Sequence, residues 1–353
     1  MIVGFRTGIG SLVGQWLGRT RAGTPPRQTK DRQGGRAQLL STDGVAASPW
    51  LGVHASVAMQ RFTAHTLDAN LGDLRDEATP AELAALEPAA RVLDDLELQA
   101  KYLPRRPSLL PQLMSAINSD SNSMRDMARI IGEDGTLLAG LLKLANSSFY
   151  RASGNKPIES LEKAVSLLGT DGLRSLVTTA LLHPVMTGTR GPFSSFAEAT
   201  WEHGQHAAAC AELHATRIER ADAFSARLLV LLLGIASNAV FRIAREHCAL
   251  EAAGVRPAAL AKLLEQWVPP TALRIAESWD LPTDLRTALA IPRGPGLARS
   301  IHFGRLAGAL LILVNRGHLR ELSARAIILA DDHHPDVDRV WSRLAIAHLV
   351  ATR

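Results

Sequence analysis

From residue 80 onward, the chain is a succession of Leu- and Ala-rich segments whose apolar residues recur every three or four positions. Each segment is closed by Gly, Pro, Asn or Asp. That spacing lays a single apolar stripe along an α-helix, whereas a half-buried strand needs alternation by two. Alternating runs of Val, Ile and Thr are nearly absent, and only 5% of residues are aromatic. The apolar fraction of 46% is ample for a core. The expected fold class is therefore all-α.

The stripes can be read in order. Pro80 stands near a helix start ahead of Leu83, Leu86, Val92, Leu93 and Leu96. TLLAGLLKLAN turns Leu137, Leu138, Leu141, Leu142 and Leu144 inward. Ile158, Leu161, Val165 and Leu168 mark a helix stopped by Gly169, and Leu173, Leu176, Val177 and Leu181 mark the next. TWEHGQHAAACAELHATRI and SARLLVLLLGIASNAVFRIAREH follow. PAALAKLLEQW, PTALRIAESW and PTDLRTALA read as three separate helices, and a last pair spans 297–316 and 336–351. Residues 50–75 are weakly helical in pattern. No segment reads as long and apolar enough for a membrane span.

Charge is unevenly placed. Residues 1–40 carry seven basic side chains (Arg6, Arg19, Arg21, Arg27, Lys30, Arg32, Arg36) against Asp31, so the net +5 of the chain leaves −1 for the other 313 residues. A near-neutral core gives little attraction for phosphate backbones, and no nucleic-acid partner is expected. Residues 1–48, rich in Gly, Pro and basic side chains, read as a disordered tail and linker. Within it, residues 2–17 have apolar side chains at helical spacing, open to membrane contact but weakened by five glycines. Two cysteines far apart, Cys210 and Cys248, predict no disulfide, and the expected location is the cytoplasm.

One helix carries an unusual set. His203, His206, Cys210 and His214 are spaced by three, four and four, near one helix face. Only neighbours on adjacent turns reach a common ion, and His203 to His214 spans three turns, about 16 Å. His247 and Cys248 could add ligands from elsewhere, without a spacing signature. The segment DDHHPDVD (331–338) is also rich in ligand types, but Pro335 breaks it and Asp336 suits a helix start, so it reads as a solvated loop. Neither a nucleophile elbow nor a phosphate-binding Gly-rich loop is present.

The order of helices and breaks resembles the HDOD domain, a bacterial signalling module related to HD-type phosphohydrolases. LPRRPSLLPQL (Leu103, Pro104, Pro107) resembles the opening of that family. MARIIGEDGTLLAGLLKLANSSFY resembles its central signature through Leu141, Leu142, Ala145, Asn146 and Ser147. IESLEKAVSLLGTDGLRSLV (Leu168, Gly169), Trp201 with His203, and WDLPTDLRTAL (Trp279, Pro282) resemble the segments that follow. The resemblance implies a bundle in two sub-bundles and divides the chain into a tail (1–48), a helical lead-in (49–99), the domain (100–296) and a C-terminal helical extension packed on it (297–353).

Relatives often keep Gly-Leu-Leu-His-Asp-Ile-Gly where this chain has Leu231-Leu232-Leu233-Gly234-Ile235-Ala236, and a double His where it reads AIPRGPG. At the vestigial metal positions His203, Leu233 and Gly234, only the first offers a lone pair. The resemblance therefore implies a non-catalytic output or adaptor protein with neither metal nor cofactor nor catalytic residue. It would act by binding signalling partners, a small ligand or a second messenger. Two other readings stand beside it. One is a metal-dependent HD-type phosphohydrolase with a rearranged site. The other is a helix-turn-helix DNA-binding regulator over 127–146, whose second helix, 136–146, offers only Lys143 as a basic side chain.

Overall fold

The computed structural model describes residues 53–67, 78–95, 99–118, 123–147, 157–187, 194–250, 255–291 and 293–349. The basic tail and its apolar segment 2–17 lie outside the described residues. Regular structure among the described residues is entirely helical. A first helix α1 (Val53–Thr66) is followed by α2 (Pro80–Ala85), α3 (Glu87–Asp94), α4 (Leu110–Asn118), α5 (Ser123–Glu133), α6 (Gly135–Ala145) and α7 (Leu161–Thr187). Then come α8 (Ser194–His214), α9 (Ala223–His247), α10 (Pro257–Ser278), α11 (Thr283–Ala290), α12 (Leu297–Asn315), α13 (Glu321–Asp331) and α14 (Val337–Leu349).

Local chemistry sets many of the ends. Thr79 and Glu82 form a reciprocal capping box at α2, with Pro80 in its first turn. The Asp134 carboxylate accepts the Thr136 and Leu137 amides at 2.9 Å and starts α6. Gly169 adopts φ +68 and ψ −175 and kinks α7, at the stop read from the sequence. After α8 the chain widens into a π-turn, Ala215–Glu219, closed by Arg220 in the left-handed region at φ +54.

Three expectations are corrected. The break at Pro269–Pro270 does not occur: α10 runs through both prolines, with Trp267, Val268, Pro269, Thr271 and Ala272 all buried. Tertiary packing on both sides holds the axis where the local rule predicts an end. The C-terminal region holds three helices, because α13 (ELSARAIILAD) has too short an apolar run to announce itself. Finally, α9 and α12 are long and apolar enough to cross a membrane by length and composition, yet 83% and 72% of their apolar windows are buried inside the protein, as core helices are.

Two apolar clusters result. The larger joins α2 through α11, and the smaller joins α1, α12, α13 and α14 with Cys210 of α8. The seam between them is α8 against α12. A Cβ on Gly304 would lie 2.5 Å from the Ala207 carbonyl oxygen and 2.6 Å from the Ala211 Cβ, and one on Gly308 would lie 2.6 Å from the Ala207 nitrogen. Small residues on both helices let the two backbones touch. A buried ion pair ties α8 to α9: Arg227 donates to Glu212 through Nε at 2.6 Å and Nη2 at 2.5 Å, and through Nη1 to Thr179 Oγ1 at 2.9 Å.

Candidate functional site

A small cleft of about 50 Å³ opens where α1, α8, α9, α10 and α12 meet. His203, Leu233 and Gly234 line it together, so three positions read from sequence as metal-site remnants converge in space. His203 is buried on α8. Its Nε2 donates to the Arg305 carbonyl at 2.9 Å, and its ring lies 4.6 Å from that of Phe62 on α1. Burial brings its pKa down to about 4; the Arg305 charge adds to this and the carbonyl bond opposes it. The imidazole is therefore neutral near pH 7. Leu233 is buried and fills its share of the cleft. Gly234 faces Met186 of α7, whose Cε would lie 2.6 Å from any Cβ there. The flexible end of the methionine thus packs directly beside Gly234.

Two charged residues that sequence reasoning missed share this cleft. Glu265 of α10 accepts Ser56 Oγ at Oε2, 3.0 Å, while its Oε1 is buried with no hydrogen-bond partner. Arg305 of α12 faces it, and burial pushes the guanidinium pKa down against the pull of the Glu265 charge. In sequence neither is the sole charged residue of its helix, so nothing marks it out. His203 and Glu265 make at most two ligands, and among the described residues no three His, Cys, Asp or Glu side chains are grouped to hold an ion. The residues present do not fit a metal.

The other ligand types of α8 point apart. His206 packs edge-on against His348 of α14, 4.9 Å between centroids. Cys210 is buried and free, as is Cys248, and burial raises both thiols. His214 is fully buried and bonds Ser300 Oγ and Asp332 Oδ2. His247 bonds the Tyr102 hydroxyl at 2.7 Å.

The signature residues are mostly structural. The buried Trp279 indole donates to the Pro104 carbonyl at 2.9 Å, and Arg106 donates to the Trp279 carbonyl at 2.9 Å, so the LPRRP and WDLP segments clasp each other. Pro107 accepts the Leu110 amide, and Pro282 precedes α11. Asn146 reads both sides of a turn. Its Nδ2 donates to the carbonyls of Leu142 and Ile158 at 2.8 and 2.7 Å, and its Oδ1 accepts the Ile158 amide at 2.9 Å. Ser147 Oγ donates to the Leu144 carbonyl at 2.7 Å. Leu141 and Ala145 are buried, Leu142 and Leu168 are half-buried, and Trp201 packs edge-on against His183 at 4.7 Å. This architecture matches the HDOD domain model over residues 103–294.

The chain belongs to the HDOD domain family. Among solved structures, this HDOD protein is similar to a proposed metal-dependent phosphohydrolase from Shewanella amazonensis SB2B. Identity is 17%, the TM-score is 0.50, and the match covers 78% of this chain and all of that one. An HDOD domain protein of unknown function from Geobacter sulfurreducens matches with 18% identity and a TM-score of 0.48, over 73% of this chain and 97% of that one. A proposed signal transduction protein from Marinobacter aquaeolei VT8 matches with 18% identity and a TM-score of 0.46, over 77% and 66%. No curated protein sequence matches the chain. The family model leaves out α1 and α12, each of which supplies a wall of the cleft.

Proposed function

We propose that this HDOD protein is a signal-transduction adaptor that works by recognition and not by catalysis. The observation that supports the reading is that Leu233 and Gly234, where the family resemblance puts a His-Asp pair, line the cleft without a ligating atom, with Met186 packed against Gly234. An HD-type hydrolase needs an imidazole and a carboxylate side by side there, so that the cation they hold can activate water. Here the one imidazole is committed to the Arg305 carbonyl. What the cleft offers instead is shape and two opposite charges on its lining, Glu265 and Arg305, which suit binding of a partner segment or small ligand.

The test is elemental analysis of the purified chain, with hydrolysis of bis(p-nitrophenyl) phosphate assayed in added manganese or iron. The expected result is substoichiometric metal and no turnover above the metal blank. Stoichiometric metal together with turnover, both lost in His203→Ala, would establish the phosphohydrolase reading instead. The DNA-binding reading draws no support from α6, whose Leu137, Leu141, Leu144 and Ala145 are buried. Its exposed positions are Gly135, Thr136, Ala139 and Lys143, a poor set for reading bases.

A further inference from the structure

A second, larger cleft of about 320 Å³ lies where the C-terminal helices meet the HDOD domain. It is lined by Arg293, Arg299, His302 and the four residues Asp331 to His334. It is remote in composition from the cleft above, and it gathers the ligand-rich segment that the sequence suggested was a solvated loop.

The decisive feature is where the carboxylate oxygens go. Asp331 accepts Arg293 Nη2 on Oδ1 at 3.2 Å and His302 Nε2 on Oδ2. Asp332 accepts the His334 amide on Oδ1 and the buried His214 on Oδ2, both at 3.0 Å. Glu219, behind the cleft, accepts the Gly296 amide on Oε2 at 2.6 Å and Arg299 Nη1 on Oε1 at 2.9 Å. All six oxygens are thus engaged by protein donors. Burial works to raise the Asp332 pKa, but the bonds from His214 and the His334 amide, with the charges of His214 and Arg299, hold it below the usual carboxylate range. These acids are a fixed inner layer that orients the basic side chains.

Three of the side chains left toward solvent offer donors: Arg293, Arg299 and His334. The Arg293 and Arg299 side chains remain 36% and 42% exposed. His334 accepts the Asp336 amide on Nδ1 at 3.2 Å, which places its proton on Nε2 as a donor. His333 donates from Nδ1 to the Leu329 carbonyl, so its exposed Nε2 is an acceptor in the neutral ring and adds no donor to the cleft. The frame is also conformationally costly: Arg293 sits at φ +53, Arg220 at φ +54, and the π-turn that carries Glu219 interrupts the end of α8. Such features concentrate where a fixed geometry is useful.

We propose that this cleft binds a phosphoryl group, held by Arg293, Arg299 and His334. Two guanidinium groups and the Nε2 donor of His334, backed by carboxylates that are already saturated, match a tetrahedral oxyanion with several acceptor oxygens. The source of the group is either free phosphate or a phosphomonoester.

The test is thermal unfolding of the full chain in inorganic phosphate, in AMP and in chloride at matched ionic strength. The expected result is a saturable rise in Tm with phosphate that chloride does not give. Arg299→Gln and His334→Ala each weaken the apparent affinity, Arg299→Gln by about tenfold. Both variants keep the far-ultraviolet circular dichroism spectrum of the parent, which guards against a variant that merely misfolds. Tighter binding of AMP than of phosphate assigns a phosphomonoester, and equal binding assigns the free anion. Phosphate no better than chloride overturns the proposal. So does a phosphate effect insensitive to both substitutions, or tight zinc or manganese binding that His334→Ala abolishes.

Discussion

Gly308→Ala is the most direct probe of how the C-terminal helices are held to the HDOD domain. The added Cβ would lie 2.6 Å from the Ala207 nitrogen, 2.8 Å from its Cα and 2.9 Å from its Cβ, against an ordinary contact of 3.4–4 Å. The obstructing atoms are backbone, or fixed to it, so no side chain can rotate away. The two helices must part by roughly 0.8 Å, and overpacking of this kind costs about 3 kcal/mol at the upper end of its range. Exchanging Gly for Ala inside a helix returns about 1 kcal/mol. The net loss is about 2 kcal/mol, or roughly 3 °C in Tm for a chain of this size. Urea denaturation followed by circular dichroism at 222 nm measures it. Gly140→Ala on α6 is the control, since nothing lies within 4 Å of a Cβ there and the propensity gain should appear alone. Hydrogen exchange should quicken in α12 to α14 before α9. If Gly308→Ala were as stable as the parent, the backbones of α8 and α12 could not be in contact, and the account of the seam would be wrong.

Two further outcomes follow from buried charge. Glu212→Ala strands the Arg227 guanidinium, whose side chain is 2% exposed, and should cost about 3–5 kcal/mol. Arg227→Met together with Glu212→Leu should recover most of that loss in the same denaturation assay, and a single variant without effect would contradict the buried pair. Stability should also depend on pH through His203. Its folded pKa of about 4 lies below its ordinary value of 6.5, so its contribution is complete above pH 6.5 and is lost as pH falls toward 4. The loss is about 3 kcal/mol for this residue. His206, brought down to about 3 by burial and by the charges of His348, His203 and Arg316, steepens the slope. The His203→Leu variant should show a shallower decline in Tm between pH 7 and pH 5, and an unchanged slope would refute the assignment.

The sequence by itself determined what is local. Apolar spacing gave the helices, and Gly169 marked its break at the residue where the backbone turns positive in φ. The absence of a neighbouring His-Asp at 233–234 was legible without coordinates. Helix period, capping and chain reversal depend on residues within one or two turns, so they are written in short stretches. The double proline of α10 and the short α13 escaped because packing outweighed the local signal. Only the tertiary structure decided which groups meet. It set Met186 against Gly234, Glu265 beside Arg305, and Asp332 on His214 across 118 positions of sequence. These pairings arise when amphipathic helices bury their stripes together. Nothing in a stripe specifies which distant charge or sulfur its polar residue will face.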